Sequence, residues 1–272
     1  MNQPLTGLPD IRFSDGTMLG YGIAGVIYLL IPVIAFLLMK KYGAARIWPV
    51  VVGAVLYFLS VTFSNLLAHL LGFPRSFAEK AVIAAELVCF LEETARWLAV
   101  RYPLTDILNM RSAVCYGIGH GGLECWIRGM QQFQIMQYGQ QLNSEGIRSF
   151  LSERQAENIG AAVKQLQAYA GRSFFLSLLG GVGGIVTFGV QIALTLLIFR
   201  KIQETGGELR WLALGILLHD GLNAAVLAAS LTENAMFTAL TGIVCGCAVI
   251  GIVYRLIDGR SCIDSIRYPL AE

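Results

Sequence analysis

Seven apolar segments recur along the chain, and each is long enough to cross a lipid bilayer as a helix. A transmembrane helix needs about 20 mostly apolar residues, and a helix satisfies its own backbone hydrogen bonds in lipid. The pattern therefore predicts an all-α, polytopic transmembrane helical bundle of about seven spans. The predicted spans cover residues 18–39, 47–71, 77–100, 110–130, 174–199, 212–229 and 235–257.

The composition supports this fold class and excludes others. Hydrophobic residues make up 56% of the chain and charged residues 14%, with a mean hydropathy of +0.62, whereas a soluble domain carries about 25% charged residues. The net charge of +2 is too small to indicate nucleic-acid binding, so no nucleic-acid partner is expected. No internal repeat or linker separates the spans, and we expect residues 1–272 to form a single integral membrane domain.

Basic residues predict the orientation of the spans. Lys and Arg concentrate in short cytoplasmic loops, and most of those in this chain fall on one side of the predicted spans. The N-terminus is therefore expected outside and the C-terminus in the cytoplasm. The basic residues assigned to the cytoplasmic side are Lys40, Lys41, Arg46, Arg101, Arg111, Arg200, Lys201, Arg210, Arg255, Arg260 and Arg267.

The segment 131–170 interrupts the apolar pattern with polar residues. We expect an extracytoplasmic loop that contains one short amphipathic helix, because apolar residues recur there at three- and four-residue steps. That helix is either solvated or lies on the membrane surface. The recurring apolar residues are Phe150, Ala156, Ile159, Val163 and Leu166.

A charged motif lies deep inside the third apolar segment, at Glu92, Glu93 and Arg96. Charges at membrane depth are expensive and by default mark a functional site. On a helix, Arg96 lies three residues after Glu93 and four after Glu92, so one guanidinium can reach both carboxylates. One positive charge does not compensate two negative ones, which makes one glutamate a candidate for proton chemistry. The simpler alternative is a buried ion pair that fixes the helix register.

Two histidines occupy the same predicted depth as this motif. Counted from the nearest cytoplasmic basic residue, Glu93, His120 and His219 each lie about 12–14 Å below the cytoplasmic surface at 1.5 Å per residue. Each histidine is followed one turn later by a polar residue, Glu124 after His120 and Asn223 after His219. Three separate helices therefore place ionisable groups at one level, which scattered structural residues would rarely do.

This set of residues is compatible with three kinds of functional site: a hydrolytic site, a zinc site and a proton relay. A glutamate assisted by His120 can take a proton from water, and His219 with Asn223 can donate hydrogen bonds to the oxyanion formed on a peptide carbonyl. Alternatively, His120, His219 and Glu92 would form a three-ligand zinc site with one open position, although no HExxH motif is present. A proton relay in a transporter is a third alternative. The remaining histidine, His69, is expected to be a core residue.

The motifs resemble those of the YhfC family of glutamic-type intramembrane proteases, which groups with the CAAX-prenyl endopeptidases, the bacteriocin-processing proteins and the PrsW proteases. The resemblance covers most of the chain, and its most specific part is the block GIGHGGLE at residues 117–124. It implies that Glu92 and His120 activate a water molecule, that Glu93 and Arg96 order the site, and that His219 and Asn223 form the oxyanion hole. It implies no obligatory metal, although the family has often been labelled a metalloprotease.

The sequence departs from the pattern of these families at two points. The CAAX group has the form EExxxR, whereas this chain has EExxR, which leaves the choice between Glu92 and Glu93 as the base open. YhfC-like chains tend to carry a histidine on the helix after the long loop, where this chain offers Gln191. A metal site that relied on that histidine would be weakened here.

The sequence therefore predicts an intramembrane endopeptidase of the cytoplasmic (inner) membrane of a prokaryote. Its substrate is expected to be a membrane-embedded or membrane-associated peptide or protein, cleaved in or near a membrane segment. The alternatives are a non-enzymatic transporter, scaffold or immunity factor, and a zinc-dependent version of the protease. No cofactor is expected, with zinc as the alternative. The expected catalytic residues are Glu92, Glu93, Arg96, His120, Glu124, His219 and Asn223.

Overall fold

The structure, a computed structural model, describes residues 7–70, 77–153 and 159–267. These ranges are helical with short connections and contain no strand, which confirms the all-α prediction. A single 3₁₀ turn, Thr105–Ile107, lies between the third and fourth helices. The helices within the described ranges are α1 Asp15–Lys41, α2 Ile47–Leu70, α3 Phe77–Arg101, α4 Met110–Glu153, α5 Ile159–Ala170, α6 Phe174–Thr205, α7 Leu209–Ser230, α8 Ala235–Leu256 and α9 Gly259–Arg267.

Five helices of the described chain are long and apolar enough to cross a membrane: α1, α2, α6, α7 and α8. They make the chain an integral membrane protein. The other two predicted spans correspond to α3 and the first part of α4. Buried charges lower the hydropathy of α3, and glycines with His120 and Glu124 lower that of α4. Seven spans, and the orientation of the termini, therefore stay predictions.

The prediction of a long loop over 131–170 is wrong in extent. Helix α4 continues to Glu153, and α5 occupies most of the remainder. The segment is polar but rich in Gln and Ala, with several Glu and Leu, which are good helix formers, so polarity alone is a poor sign of irregular structure. The one break inside α4 is Gly146, whose φ of 77° and ψ of 165° suit glycine better than any other residue. Ala156, assigned to the predicted amphipathic helix, lies outside the described residues.

The chain divides into two compact units. The first comprises the N-terminal residues to Tyr28 together with 127–182, and its core includes Tyr21, Leu142, Phe150 and Leu166. The apolar residues of α5 predicted from the sequence pack on this core, and Leu166 is buried in it. The single integral domain stays a prediction.

A side-chain amide joins the N-terminal segment of the first unit to α4. Asn143 Oδ1 accepts a hydrogen bond from the Phe13 backbone N–H at 2.9 Å, and Asn143 Nδ2 donates to the Phe13 carbonyl oxygen at 2.8 Å. The amide thus pairs with the extended backbone as a neighbouring strand would.

The second unit comprises residues 29–126 and the chain from Gly183 onward. Its core is built around α6, where Leu194, Leu197, Ile198 and Phe199 are fully buried. Residues from α3, α4 and α8 pack against them, including Val100, Tyr116 and Val249. All candidate site residues belong to this unit.

Small residues allow α2 and α4 to approach closely beside His120. A Cβ atom at Gly119 would overlap the Val50 carbonyl oxygen, and one at Gly53 would overlap the Tyr116 carbonyl oxygen. The two glycines therefore let each backbone contact the other, as small residues do between membrane helices. The glycine-rich block of α4 serves helix packing, which places His120 in the interior of the unit with no exposed surface.

Candidate active site

Helices α3, α4, α6 and α7 bring seven polar side chains together inside the second unit. Each of them is buried, the most exposed being His219 at 7%. Such a concentration of polar groups among apolar helices is stable only if the groups satisfy one another. The cluster consists of Glu92, Glu93, Arg96, His120, Glu124, Gln191 and His219.

Arg96 pairs with Glu93. Its Nη1 atom lies 2.5 and 2.6 Å from the two carboxylate oxygens of Glu93, and its Nη2 atom donates to Gln191 Oε1 at 2.5 Å. The expectation that one guanidinium serves both glutamates is therefore corrected, since the hydrogen bonds of Arg96 go to Glu93 and Gln191. The reason is that α6 contributes an acceptor which the pattern of α3 alone does not contain.

Glu93 also joins α3 to α7. His219 Nδ1 lies 2.8 Å from Glu93 Oε1, and because an ionised carboxylate only accepts, the proton lies on Nδ1. This contact orients the imidazole so that His219 Nε2 faces Glu92 Oε2 at 3.9 Å. Glu93 thus holds both Arg96 and His219 in place.

Glu92 has a different environment from its neighbour. Three nitrogen atoms surround its Oε2 atom, namely His120 Nε2 at 3.4 Å, Gln191 Nε2 at 3.5 Å and His219 Nε2 at 3.9 Å. All three separations exceed the usual range for N–H···O hydrogen bonds. Glu92 therefore presents an oxygen that is surrounded by three nitrogen atoms but held tightly by none of them.

Glu124 contacts Gln191. Its Oε2 atom accepts a hydrogen bond from Gln191 Nε2 at 2.8 Å, whereas the sequence pairs Glu124 with His120 through their spacing on one helix face. Gln191 is the member of the cluster that sequence reasoning did not assign to the site. In the sequence, Gln191 is a single amide in an otherwise apolar stretch of α6. It was distinguished only as the residue at the position where YhfC-like chains tend to carry a histidine.

Two tyrosine rings fix the imidazole of His120. The Tyr57 ring lies edge-on at a centroid distance of 5.1 Å, and the Tyr116 ring stacks at 5.8 Å with an interplanar angle of 27°. These contacts direct Nε2 toward Glu92. Within the described chain, His120 Nδ1 is buried and has no hydrogen-bond partner.

The other predicted residues lie at the margin of the cluster or away from it. Asn223 follows His219 by one turn of α7 and is half-buried, and no described residue forms a hydrogen bond with its side chain. The assignment of His69 to the core is wrong, because this residue is exposed near the C-terminal end of α2.

The donor set does not fit a metal centre. Two imidazoles and a carboxylate are zinc-type ligands, yet the described residues contain no group of three or more His, Cys, Asp or Glu side chains arranged to hold an ion. A ligating histidine donates its other ring N–H to a partner, whereas His120 Nδ1 has none among the described residues. The amide N–H of Gln191 also points at Glu92, where an ion would need a free oxygen.

Comparison with family models gives a match that covers most of the chain. A family model described as YhfC intramembrane metalloprotease matches residues 27–244, a range that contains every residue of the cluster. Neither a search of curated proteins nor a search of solved structures returns a match.

Proposed function

The chain belongs to the YhfC intramembrane metalloprotease family, and we propose that it is an intramembrane endopeptidase of the glutamic type. Its substrate would be a membrane-embedded or membrane-associated protein, cut in or near a membrane segment at the cytoplasmic membrane of a prokaryote. The observation that carries this proposal is the contrast between two adjacent glutamates. Glu93 is held by Arg96 and His219, whereas Glu92 faces three nitrogen atoms at longer range.

Glu92 acts as the general base. A carboxylate with no tight hydrogen bond is free to accept a proton from water, and the 3.4 Å separation between Glu92 Oε2 and His120 Nε2 lets both groups contact the same water molecule. The water oxygen attacks the carbonyl carbon of the scissile peptide while its proton moves to Glu92. The same proton then passes to the departing amine, so that Glu92 ends the cycle as a carboxylate.

His219 and Asn223 stabilise the oxyanion. His219 donates its Nδ1–H to Glu93, and in the imidazolium form that this carboxylate stabilises it also carries a proton on Nε2. That second proton is available to the substrate on the side that faces Glu92. Asn223, one turn further along α7, supplies a second donor. Preorganised donors of this kind stabilise the tetrahedral intermediate of acyl transfer.

No step of this mechanism passes through a metal ion. The family description names a metalloprotease; the unpartnered Nδ1 atom of His120 among the described residues and the Gln191 N–H that faces Glu92 support a mechanism without a metal. Arg96, the two histidines and the Gln191 amide supply the positive and hydrogen-bonding groups that a zinc ion would otherwise provide.

Hydrolysis in water enriched in oxygen-18 tests the proposal. Purified full-length protein is reconstituted in liposomes with membrane proteins of a prokaryotic host, and new peptide termini are mapped by mass spectrometry. We expect new C-terminal carboxylates that carry the heavy oxygen with the natural chain and not with Glu92→Gln. The exposed Glu145 provides a matched control, because Glu145→Gln makes the same chemical change outside the cluster and should leave cleavage intact.

Two results would contradict the proposal in different ways. If the natural chain produced no new termini, the endopeptidase assignment would fail. If Glu92→Gln produced the same termini at the same rate as the natural chain, cleavage would stand and the role of Glu92 as base would fail.

A further inference from the structure

Gln191 lies at the centre of the cluster. The side chain comes from α6, is 1% exposed, and contacts residues of α3 and α4. Its Oε1 atom accepts from Arg96 Nη2, and its Nε2 atom faces Glu124 Oε2 at 2.8 Å and Glu92 Oε2 at 3.5 Å. One amide therefore links the guanidinium to two of the three carboxylates.

The orientation of this amide follows from its partners. A guanidinium has only donors, so the atom facing Arg96 Nη2 must be the carbonyl oxygen of the amide. The two N–H groups then point at Glu92 and Glu124, which accept. The reverse orientation would set donor against donor at Arg96 and acceptor against acceptor at both glutamates, which the buried site could not satisfy.

The position of Gln191 has an electrostatic consequence. Two carboxylate oxygens near one nitrogen lie within about 6 Å of each other, a distance at which like charges disfavour shared ionisation. The amide nitrogen of Gln191 lies between these charges, hydrogen-bonded to Glu124 at 2.8 Å and facing Glu92 at the longer distance of 3.5 Å. The amide oxygen also accepts a hydrogen bond from Arg96 Nη2. This bond keeps the guanidinium from pairing with Glu92.

We propose that Gln191 is a positioning residue that holds Glu92 and Glu124 apart and keeps Glu92 out of a tight ion pair, so that it can act as the base. This inference rests on the proposed function, since it assigns the part that Gln191 has in the same site. Gln191 acts through Glu92 and Glu124 and contacts neither substrate nor water in the reaction. The arrangement of the carboxylates in the buried cluster thus depends on a residue outside the Glu92–Arg96 motif of α3 and the His120–Glu124 pair of α4.

The variant Gln191→Glu is the most direct test. It keeps the size of the side chain and an acceptor for Arg96, and it replaces both N–H donors with a carboxylate that only accepts. We expect kcat to fall about 100-fold, the effect of a misplaced catalytic group, with KM unchanged because substrate binding is not altered. The substrate is one identified by the oxygen-18 assay with the natural chain.

A second substitution separates positioning from a merely structural effect. In the double variant Gln191→Glu/Glu124→Gln, the amide and the carboxylate exchange places, so the number of carboxylates returns to that of the natural chain. We expect kcat to recover at least tenfold relative to Gln191→Glu alone, because the two sites are coupled. Thr195→Val is the control, since this buried threonine on the same helix donates its hydroxyl to the backbone carbonyl oxygen of Gln191 and not to the side-chain amide. This variant should retain natural kcat.

Melting of the same variants in detergent gives a readout that needs no activity. We expect a lower Tm for Gln191→Glu and recovery in the double variant. A natural kcat in Gln191→Glu, or a double variant that recovers neither kcat nor Tm, would overturn the role of Gln191. If the natural chain cleaved nothing, the endopeptidase proposal would fail, and the recovery of Tm would still decide whether Gln191 separates the two carboxylates.

Discussion

His219 Nδ1 lies 2.8 Å from Glu93 Oε1, and this contact joins α7 to α3 at the centre of the second unit. Glu93 receives Arg96 on the same carboxylate, so three side chains form one buried network. Groups in such a network depend on one another, because removing one partner leaves the others desolvated without compensation.

The two adjacent glutamates should therefore respond differently to the same substitution. Glu93→Gln leaves the buried Arg96 without its carboxylate and should lower the free energy of unfolding by about 3–5 kcal/mol. Glu92→Gln removes a carboxylate whose Oε2 atom lies 3.4 Å or more from the three nitrogen atoms around it. Its free energy of unfolding should stay near that of the natural chain. Denaturation of both variants in detergent compares them directly, and equal losses of stability would contradict the division of roles between Glu92 and Glu93.

Asn223→Ala tests the second donor of the proposed oxyanion hole. Loss of one such donor lowers kcat about 100- to 1000-fold. The side chain has no hydrogen-bond partner among the described residues, so we expect no change in detergent Tm. Ser230→Ala, at an exposed position near the end of the same helix, is the control. An Asn223→Ala variant with natural kcat would remove this residue from the site.

Gly119→Ala should disturb the site from outside the cluster. A methyl group there overlaps the Val50 carbonyl oxygen, so α2 and α4 must separate, and overpacking of this kind costs about 1–3 kcal/mol. Because His120 follows Gly119 directly, we also expect kcat to fall. Gly251→Ala on α8 is a matched control, since a Cβ atom there meets nothing within 4 Å. Equal Tm values for the two variants would show that the close approach does not constrain α4.

Metal content provides an independent check. Because the donors around Glu92 do not fit a zinc centre, the purified protein should hold substoichiometric zinc, and 1,10-phenanthroline should leave cleavage unchanged. Elemental analysis of active protein measures the zinc content, and the oxygen-18 assay measures cleavage in the presence of the chelator. One zinc per chain, lost together with activity on chelation, would replace the glutamic mechanism with a metal-dependent one.

The orientation in the membrane is open to cysteine labelling. Residue 145 belongs to the stretch expected outside, so Glu145→Cys should react with an impermeant maleimide applied to intact cells. Arg260→Cys on α9 should react only after permeabilisation, because the C-terminus is expected in the cytoplasm. Labelling of the parent chain gives the background. The reverse pattern would invert the predicted topology.

Much of the fold follows from the apolar pattern. The predicted third span, 77–100, corresponds to α3 at Phe77–Arg101, and the predicted second span corresponds to α2. Long apolar runs predict such helices well, since length and hydropathy are both local properties. The length of α4 was missed because a polar stretch of good helix formers has no hydropathy signal that distinguishes it from a loop.

The meeting of the charged motif with the two histidines was predictable, but the pairing of these groups and the part of Gln191 were not. The charged motif and the two histidines meet as their common depth predicts. The partner of Arg96 could not be deduced, because residues three and four positions back on a helix are equally accessible and the choice depends on side chains from α6 and α7. Gln191 is a single amide without a spacing motif, so only the folded arrangement identifies its contacts.

The close approach of α2 and α4, with Gly53 against the Tyr116 backbone and Gly119 against the Val50 backbone, limits how the site can open to a long substrate. Sliding or rotating α2 against α4 would drive larger neighbouring residues into the facing backbone, so these two helices should move as one rigid body. A peptide that enters sideways from the lipid must therefore pass another helix boundary. Any gating motion is expected to leave His120 stationary and to bring the other groups toward it.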